Sequence, residues 1–201
     1  MIKAIIFDLW DTIGNKGFAI SKEFQRHFKI ADHTNYLKNY EKSIQLMKWS
    51  SKADMAKNFL KTFNISTTNE NITFIIDTCD RGIKNARLFD GMKDILVALK
   101  NKYKLGLVSN TTIYEINFVD KYDIRKFFDA IVCSHDIGKL KPSKEIFEET
   151  TKQLSIGLSE CLFIDDSKNN IEKAKEYGMQ TIRFENVKQL KEELAELGIK
   201  V

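Results

Sequence analysis

Four short apolar runs in this chain each end on polar residues of the kinds that do chemistry. Lys3–Asp8 closes on Asp8 and is followed by Leu9-Trp10-Asp11-Thr12. Leu105–Val108 gives way to Ser109-Asn110. Ala130–Cys133 is followed by Ser134 and, a little later, by Lys139-Leu140-Lys141-Pro142. Cys161–Ile164 leads into Asp165-Asp166-Ser167. These types fit phosphoryl transfer. An aspartate such as Asp8 can attack phosphorus and form an aspartyl phosphate. Further carboxylates beside it repel unless a hard cation sits among them, and Mg²⁺ takes one or two carboxylates together with substrate phosphate and water. Asp8 and Asp166 are the first candidate ligands, with Asp165 beside them. Thr12, Ser109, Asn110 and Lys141 are the candidate substrate-binding residues. Ser109 and the backbone after Asp8 would hydrogen-bond phosphoryl oxygens, and Lys141 would neutralise charge. Thr12 would also brace its loop. Ser167 suits the N-cap of a following helix, which is compatible with a metal at Asp166.

Residues at four strand ends converge only if the strands share one sheet. The pattern after Asp90-Gly91 predicts such a sheet. Helices are read at Met92–Leu99, Ile113–Val119, Lys144–Leu154, Ile171–Tyr177 and Val187–Leu197. Strands are read at Leu105–Val108, Ala130–Cys133, Cys161–Ile164 and Thr181–Phe184. Short apolar strands alternating with helices make βαβ units and a parallel sheet covered on both faces. Ligands of such sheets bind outside the carboxyl ends of the strands. Lys3–Asp8 belongs to the same sheet, so the segment after it is an insertion. Within that insertion the apolar period is helical: Ile20, Phe24 and Phe28, then Leu37, Tyr40, Ile44 and Met47. Ala53, Ala56, Phe59, Leu60 and Phe63 follow, then Ile72, Ile75, Ile76, Cys79, Ile83 and Ala86. Four amphipathic helices make a small bundle. The expected division is a core of residues 1–14 and 88–201 and a helical cap of residues 15–87, with hinges near Gly14–Gly17 and Arg87–Gly91.

The motifs resemble those of the haloacid dehalogenase-like (HAD) hydrolase superfamily. FDLWDT at Phe7–Thr12 is similar to its first motif and LVSN at Leu107–Asn110 to its second. KLKP at Lys139–Pro142 supplies the third, with Lys141 the matching lysine. FIDDSKNNIEKAKEYGM at Phe163–Met179 is similar to the fourth. The order is right and essentially the whole chain is covered. The resemblance implies an α/β fold, a Rossmann-like parallel core with an inserted all-helical cap of the C1 type. It also implies an aspartyl-enzyme mechanism, and a metal held partly by the main chain at Trp10.

One position departs from that pattern. Phosphatases of the superfamily usually carry a second Asp two residues after the nucleophile, as general acid and base. Here Trp10 stands there, and an Asp comes one place later, at Asp11. General acid–base catalysis contributes about 10²–10⁴-fold, so Asp11 is a candidate catalytic residue beside Asp8 and Lys141. The bland alternative is that Asp11 shapes its loop. An aromatic at this place resembles the 2-haloacid dehalogenases, which use no metal, but the acidic pair Asp165-Asp166 favours a metal and phosphate. Three readings therefore compete. The first is a Mg²⁺-dependent phosphohydrolase of a small phosphorylated metabolite. The others are a dehalogenase-like hydrolase and a catalytically weak protein that binds a phosphate ligand.

Composition narrows the partners. The chain has 201 residues, 43% hydrophobic and 11% aromatic, which suffices for a buried core. The net charge is +4, and residues 15–86 hold twelve basic against seven acidic side chains, an excess that would attract anions. No concentrated Lys/Arg block with interleaved aromatics suggests nucleic-acid binding. No run is long enough to span a membrane, and the N-terminus does not read as a signal peptide. Cys79, Cys133 and Cys161 lie far apart and read as free thiols of a reducing cytoplasm. His27, His33 and His135 are scattered and do not read as a metal site. Arg26, Arg81 and Arg87 read as solvated cap residues, Trp49 as core or cap surface, and Asn170 as orienting a metal ligand or water. The expected assembly is a monomer or a weak dimer, located in the cytoplasm.

Overall fold

A computed structural model gives the architecture and describes residues 1–31 and 35–201. The first strand, β1 (Ala4–Phe7), is followed by a two-residue strand, β2 (Gly14–Asn15). The inserted segment then forms α1 (Ile20–His27), α2 (Tyr36–Ile44), α3 (Lys52–Thr62) and α4 (Asn69–Asn85). The chain returns through β3 (Arg87–Leu88) to α5 (Met92–Lys100), β4 (Lys104–Ser109), α6 (Phe118–Lys121), β5 (Ala130–Cys133) and α7 (Ser134–Ile137). It ends with α8 (Lys144–Leu154), β6 (Cys161–Asp165), α9 (Lys168–Glu176), β7 (Gln180–Arg183) and α10 (Val187–Glu196).

Five strands pair in the order β5-β4-β1-β6-β7, all parallel. Phe7 lies between Leu107 on one side and Ile164 on the other. The chain leaves β1 on one side of the sheet and later returns to its other side, so β1 flanks the switch point where such sheets open a crevice. Its four residues are all buried because both faces are covered. Ile5 and Phe7 point into a core with Leu96 and Leu190, while Ala4 and Ile6 point the opposite way, toward Phe147 and Ile171. This is the two-residue alternation of a strand.

The inserted helices share a separate apolar cluster around Phe24, Phe59 and Leu60, with the Phe24 and Phe59 ring centroids 4.9 Å apart. Side-chain caps open α3, α4, α9 and α10, at Ser51, Thr68, Ser167 and Asn186. Each accepts a backbone N–H that the first turn leaves unpaired.

Three details differ from expectation. The helical period puts Leu37 and Met47 on the apolar stripe of the second inserted helix, but they are 56% and 51% exposed. The stripe is instead Tyr36, Tyr40 and Ile44, four residues apart; Leu37 falls beside it and Met47 lies beyond the helix end. The helix expected over Ile113–Val119 is confined to α6. Before it, Glu115 folds back to accept from the Thr112 N–H at 3.1 Å, and i→i+3 bonds such as Phe118 N–H to Glu115 O form turns. A side chain bonded to local backbone competes with a regular helix. Finally, the two linkers at the expected hinges pair with each other: β2 and β3 are antiparallel, with Gly14 opposite Leu88. Strands of two residues leave no periodicity to read.

Candidate active site

Parallel strands ending at one edge bring their successor residues together. Asp8 follows β1, and its N–H continues the strand pairing by donating to Ile164 O at 2.9 Å. Lys141 arrives from the loop before α8, and its ammonium bonds both Asp8 Oδ1 and Asp165 Oδ2, the latter at 2.7 Å. All three side chains are almost wholly buried. Asp166 completes the group: Asp8, Asp165 and Asp166 present carboxylate oxygens within 4.8 Å of one another.

The two neighbouring aspartates do different work. Asp165 is fully buried and its oxygens are taken. Besides Lys141, it accepts from Ser167 N–H at 2.8 Å and from Asn170 Nδ2 at 3.1 and 3.0 Å. Asp166 is bonded through its main chain instead: its N–H donates to Thr12 Oγ1 at 3.2 Å and its carbonyl accepts from Arg183 Nε at 3.1 Å. Those bonds leave its carboxylate to face the cavity.

Electrostatics follows from this arrangement. Burial pushes the Asp8 carboxyl up, Lys141 pulls it back, and Asp165 and Asp166 push again; the net direction is upward. Burial first, then Asp165 and Asp11, raise Asp166 to about 6. Lys141 rises because the pull of Asp165 and Asp8 outweighs its burial. Three carboxylates face one ammonium, a formal surplus of two negative charges, and the upward push on Asp8 and Asp166 is the cost of holding that surplus without a cation. A hard divalent cation with oxygen ligands fits that donor set.

Asn110 lies at the end of β4 and locks the lysine loop. Its Oδ1 accepts the Lys141 N–H at 2.7 Å, and its Nδ2 donates to Lys141 O and to Glu41 Oε1, both at 3.2 Å. Ser109 is fully buried, and its hydroxyl has no hydrogen-bond partner among the described residues. Thr12 was expected among the substrate-binding residues. It is wholly buried, with its hydroxyl engaged by the Asp166 N–H, so it braces two loops and does not reach the cavity.

Trp10 packs sideways. Its Nε1 donates to Thr111 Oγ1 at 3.1 Å, Phe118 meets it edge-on at 5.0 Å, and Lys16 Nζ lies 4.0 Å from the ring centroid. Lys16 also pairs with buried Glu115. Asp11 has a left-handed backbone, φ 62°. It keeps solvent contact, yet partial burial pushes its carboxyl up against the pull of Lys16.

A cavity of about 890 Å³ lies between this cluster and the inserted helices; Asp8, Asp11, Asn110, Lys141 and Asp166 line it. Glu41 from α2 and Gln45 just after it line the same cavity, with Lys38 and Lys42 on that wall. In the sequence Glu41 reads as one more charge on a polar helix face. Arg26 and Arg81 pair with Glu23, and Arg87 caps the end of α4 through Lys84 O and Ala86 O, so none of them lines the cavity. Trp49 closes the end of α2 by donating to Ile44 O at 2.8 Å. His27 stacks on Phe74, and His33 lies outside the described residues. Cys133, His135 and Asp136 also bring ligand atoms together. There, Asp136 pairs with Lys48, His135 Nδ1 meets Thr111 O at 2.9 Å, and burial holds the Cys133 thiol up at about 12. All three groups thus have structural roles. No described helix is long and apolar enough to cross a membrane.

A family model described as haloacid dehalogenase-like hydrolase matches residues 5–184. The chain is 33% identical over 113 residues to the chloroplast flavin mononucleotide hydrolase 1 of Arabidopsis thaliana, covering 56% of this chain and 46% of that protein. It is 30% identical over 108 residues to a D-ribitol-5-phosphate phosphatase of Bacteroides thetaiotaomicron, covering 50% and 52%. These matches span about half the length of both curated relatives. Among solved structures, a HAD family enzyme from Bacteroides thetaiotaomicron, in complex with magnesium and inorganic phosphate, superposes with a TM-score of 0.66. It shares 21% identity over 94% of this chain and 99% of that one, a likeness of fold.

Proposed function

Because the chain belongs to the haloacid dehalogenase-like hydrolase family, we propose that it is a Mg²⁺-dependent phosphohydrolase of a small phosphorylated metabolite. The observation that carries this reading is the Lys141 ammonium set between Asp8 and Asp165, with Asp166 beside them, so that three carboxylates crowd around one ammonium. The solved magnesium and phosphate complex of a relative with the same fold supports it. Asp8, Asp166 and the main-chain carbonyl of Trp10 would hold the ion. Asp165, expected as a further ligand, is already occupied by Lys141, Ser167 and Asn170. When bound, Mg²⁺ supplies charge neutralisation for the phosphoryl oxygens.

The chain's own residues do the rest. Asp8 is the nucleophile: its carboxylate oxygen bonds phosphorus as the ester oxygen leaves, giving an aspartyl phosphate. Lys141 loses part of its bond to Asp8 as that oxygen is consumed and turns to the phosphoryl oxygens, while Asp165 keeps it charged and in place. Asn110 fixes the backbone that carries Lys141, and the Ser109 hydroxyl one residue earlier, buried without a partner among the described residues, is the spare donor at this strand end. Asp11, on the cavity wall with a raised carboxyl, protonates the leaving oxygen and then takes a proton from the attacking water. In this reading residues 15–87 act as a cap on the core of residues 1–14 and 88–201, and closing it excludes bulk water. Dehalogenase chemistry at carbon has no use for the surplus charge at Asp166, which disfavours that reading.

The test is phosphate release from acetyl phosphate and p-nitrophenyl phosphate. Turnover with Mg²⁺ that disappears with EDTA and in Asp8→Asn supports the proposal. No turnover from folded, Mg²⁺-binding protein refutes it and points to a ligand-binding role.

A further inference from the structure

The side chain of Trp10 belongs to a closed circuit of contacts. Its Nε1–H donates to Thr111 Oγ1 at 3.1 Å, and that hydroxyl donates on to Glu115 Oε2 at 3.3 Å. Glu115 also accepts the Thr112 N–H and pairs with the Lys16 ammonium. Lys16 Nζ in turn stands 4.0 Å from the Trp10 ring centroid. The Lys16 and Glu115 side chains are 12% and 6% exposed. Desolvation cancels much of what a buried ion pair gains from attraction, so the pair sets geometry more than it stabilises the fold. Lys16 follows β2 in the first linker, whereas Thr111 and Glu115 follow β4. The circuit thus ties the linker to the strand ends of the core.

That geometry bears on the loop after Asp8. From Leu9 to Gly14 the main chain closes on itself: the Ile13 and Gly14 N–H groups donate to Leu9 O at 3.0 and 3.1 Å, and the Asp11 N–H to Gly14 O at 2.7 Å. Two of its side chains tie this loop outward. Thr12 Oγ1 accepts the Asp166 N–H. The Trp10 ring is gripped by Thr111 at its N–H, by Lys16, and by Phe118 edge-on at 5.0 Å. A ring held on three sides leaves the main chain that bears it little room to tilt. Resting on the phosphohydrolase reading above, we propose that Lys16 and Glu115 are positioning residues: acting through the Trp10 ring, they aim the main-chain carbonyl of residue 10 at the magnesium site. Groups beyond the ligands of a metal orient its ligands in this way. Because Lys16 lies in the linker, one ion pair sets both the seating of that linker and the aim of the carbonyl.

The experiment measures Mg²⁺ binding by titration calorimetry without substrate, beside thermal melts and the kcat and KM for acetyl phosphate. The main variant combines Lys16→Met with Glu115→Gln. It removes both charges together, so neither is left buried alone and the net charge is unchanged. A shift in Mg²⁺ affinity is then not a long-range charge effect. The Mg²⁺ Kd should rise about ten-fold, the usual effect of losing a group that orients a metal ligand. At fixed, subsaturating Mg²⁺, kcat should fall by about the same factor with KM for acetyl phosphate little changed. Lys16→Arg keeps a cation between the carboxylate and the ring and should bind Mg²⁺ within about two-fold of wild type. Trp10→Phe loses only the Nε1–H donor and should raise the Kd roughly three-fold or more; it carries the same test if the double variant fails to fold. Variants that melt lower but keep the wild-type Mg²⁺ Kd and kcat assign the circuit to folding alone and overturn the proposal, leaving the phosphohydrolase reading intact. Wild-type protein that neither binds Mg²⁺ nor releases phosphate from acetyl phosphate overturns both.

Discussion

Asn110 and Lys141 hold each other in both directions, the asparagine oxygen accepting the lysine N–H at 2.7 Å and its amide nitrogen donating to the lysine carbonyl at 3.2 Å. The pair joins the end of β4 to the loop before α8, and it fixes the backbone from which the Lys141 ammonium reaches Asp8. Asn110→Ala leaves both backbone groups unpaired in a part-buried setting. It should cost about 1–3 kcal/mol of stability and lower kcat by roughly 10–100-fold through misplaced Lys141. Denaturant melts and steady-state kinetics check both. Normal kcat with lowered stability would make the pair a purely structural lock.

Much of the frame that sets this pair is legible in the sequence. The central strands β1, β4 and β6 are nearly unbroken buried runs between polar stretches, and α8 lies where its stripe of Ile146, Phe147, Thr150 and Leu154 requires. Parallel topology then places Asp8, Asn110 and Asp165 at one edge. The cap side of the site was not legible. Glu41 sits on the polar face of α2 with Gln45 just past its end, and a face turned to a wet cavity has the same pattern as one turned to solvent. The distinct roles of Asp165 and Asp166 were hidden as well, because two adjacent aspartates differ only in which groups surround them.

Asp11 allows a test that separates shape from chemistry. Its φ of 62° suits glycine, and aspartate tolerates it where alanine does not. Asp11→Gly should keep or slightly raise the melting temperature, while Asp11→Ala should cost about 1 kcal/mol. If the carboxyl is the acid, kcat/KM for Asp11→Gly should fall about 10²-fold on an alkyl phosphate and far less on acetyl phosphate, whose leaving group needs no proton. Equal kcat/KM losses on the two substrates would assign Asp11 a conformational role alone.

Glu115 predicts a pH dependence. Burial alone would push its carboxyl up, but Lys16 and the Thr112 N–H outweigh burial and hold it below its ordinary 4.5. A carboxyl lowered in the fold stabilises above its unfolded pKa, and that contribution is lost as pH falls through the folded value. Glu115→Gln removes one partner of a buried pair and leaves Lys16 charged against Trp10. It should cost about 3 kcal/mol near neutral pH. The gap between wild type and variant should narrow as the pH drops below 4.5. Urea titrations at neutral and acidic pH measure it; a gap that does not change with pH would remove the ion pair as its source.

Gly14 stands where the two linkers between core and inserted helices touch. A Cβ there would lie 2.4 Å from Phe118 Cζ and 2.7 Å from the Arg87 carbonyl. The carbonyl belongs to β3, paired with β2, so it cannot withdraw without parting the two strands. Phe118 in turn is held by Trp10 at 5.0 Å and by Tyr122 at 4.8 Å. Gly14→Ala should therefore destabilise by about 2–3 kcal/mol. It should also change kcat and KM together, because the displaced strands carry the inserted helices over the site. Gly82→Ala is the control. Its nearest contact, 2.7 Å, is the tip of the Ile20 side chain, which can turn aside, and alanine gains about 1 kcal/mol of helix propensity over glycine within α4. Its stability should stay close to wild type. If both variants lose stability equally while kinetics are untouched, the linkers are not a hinge.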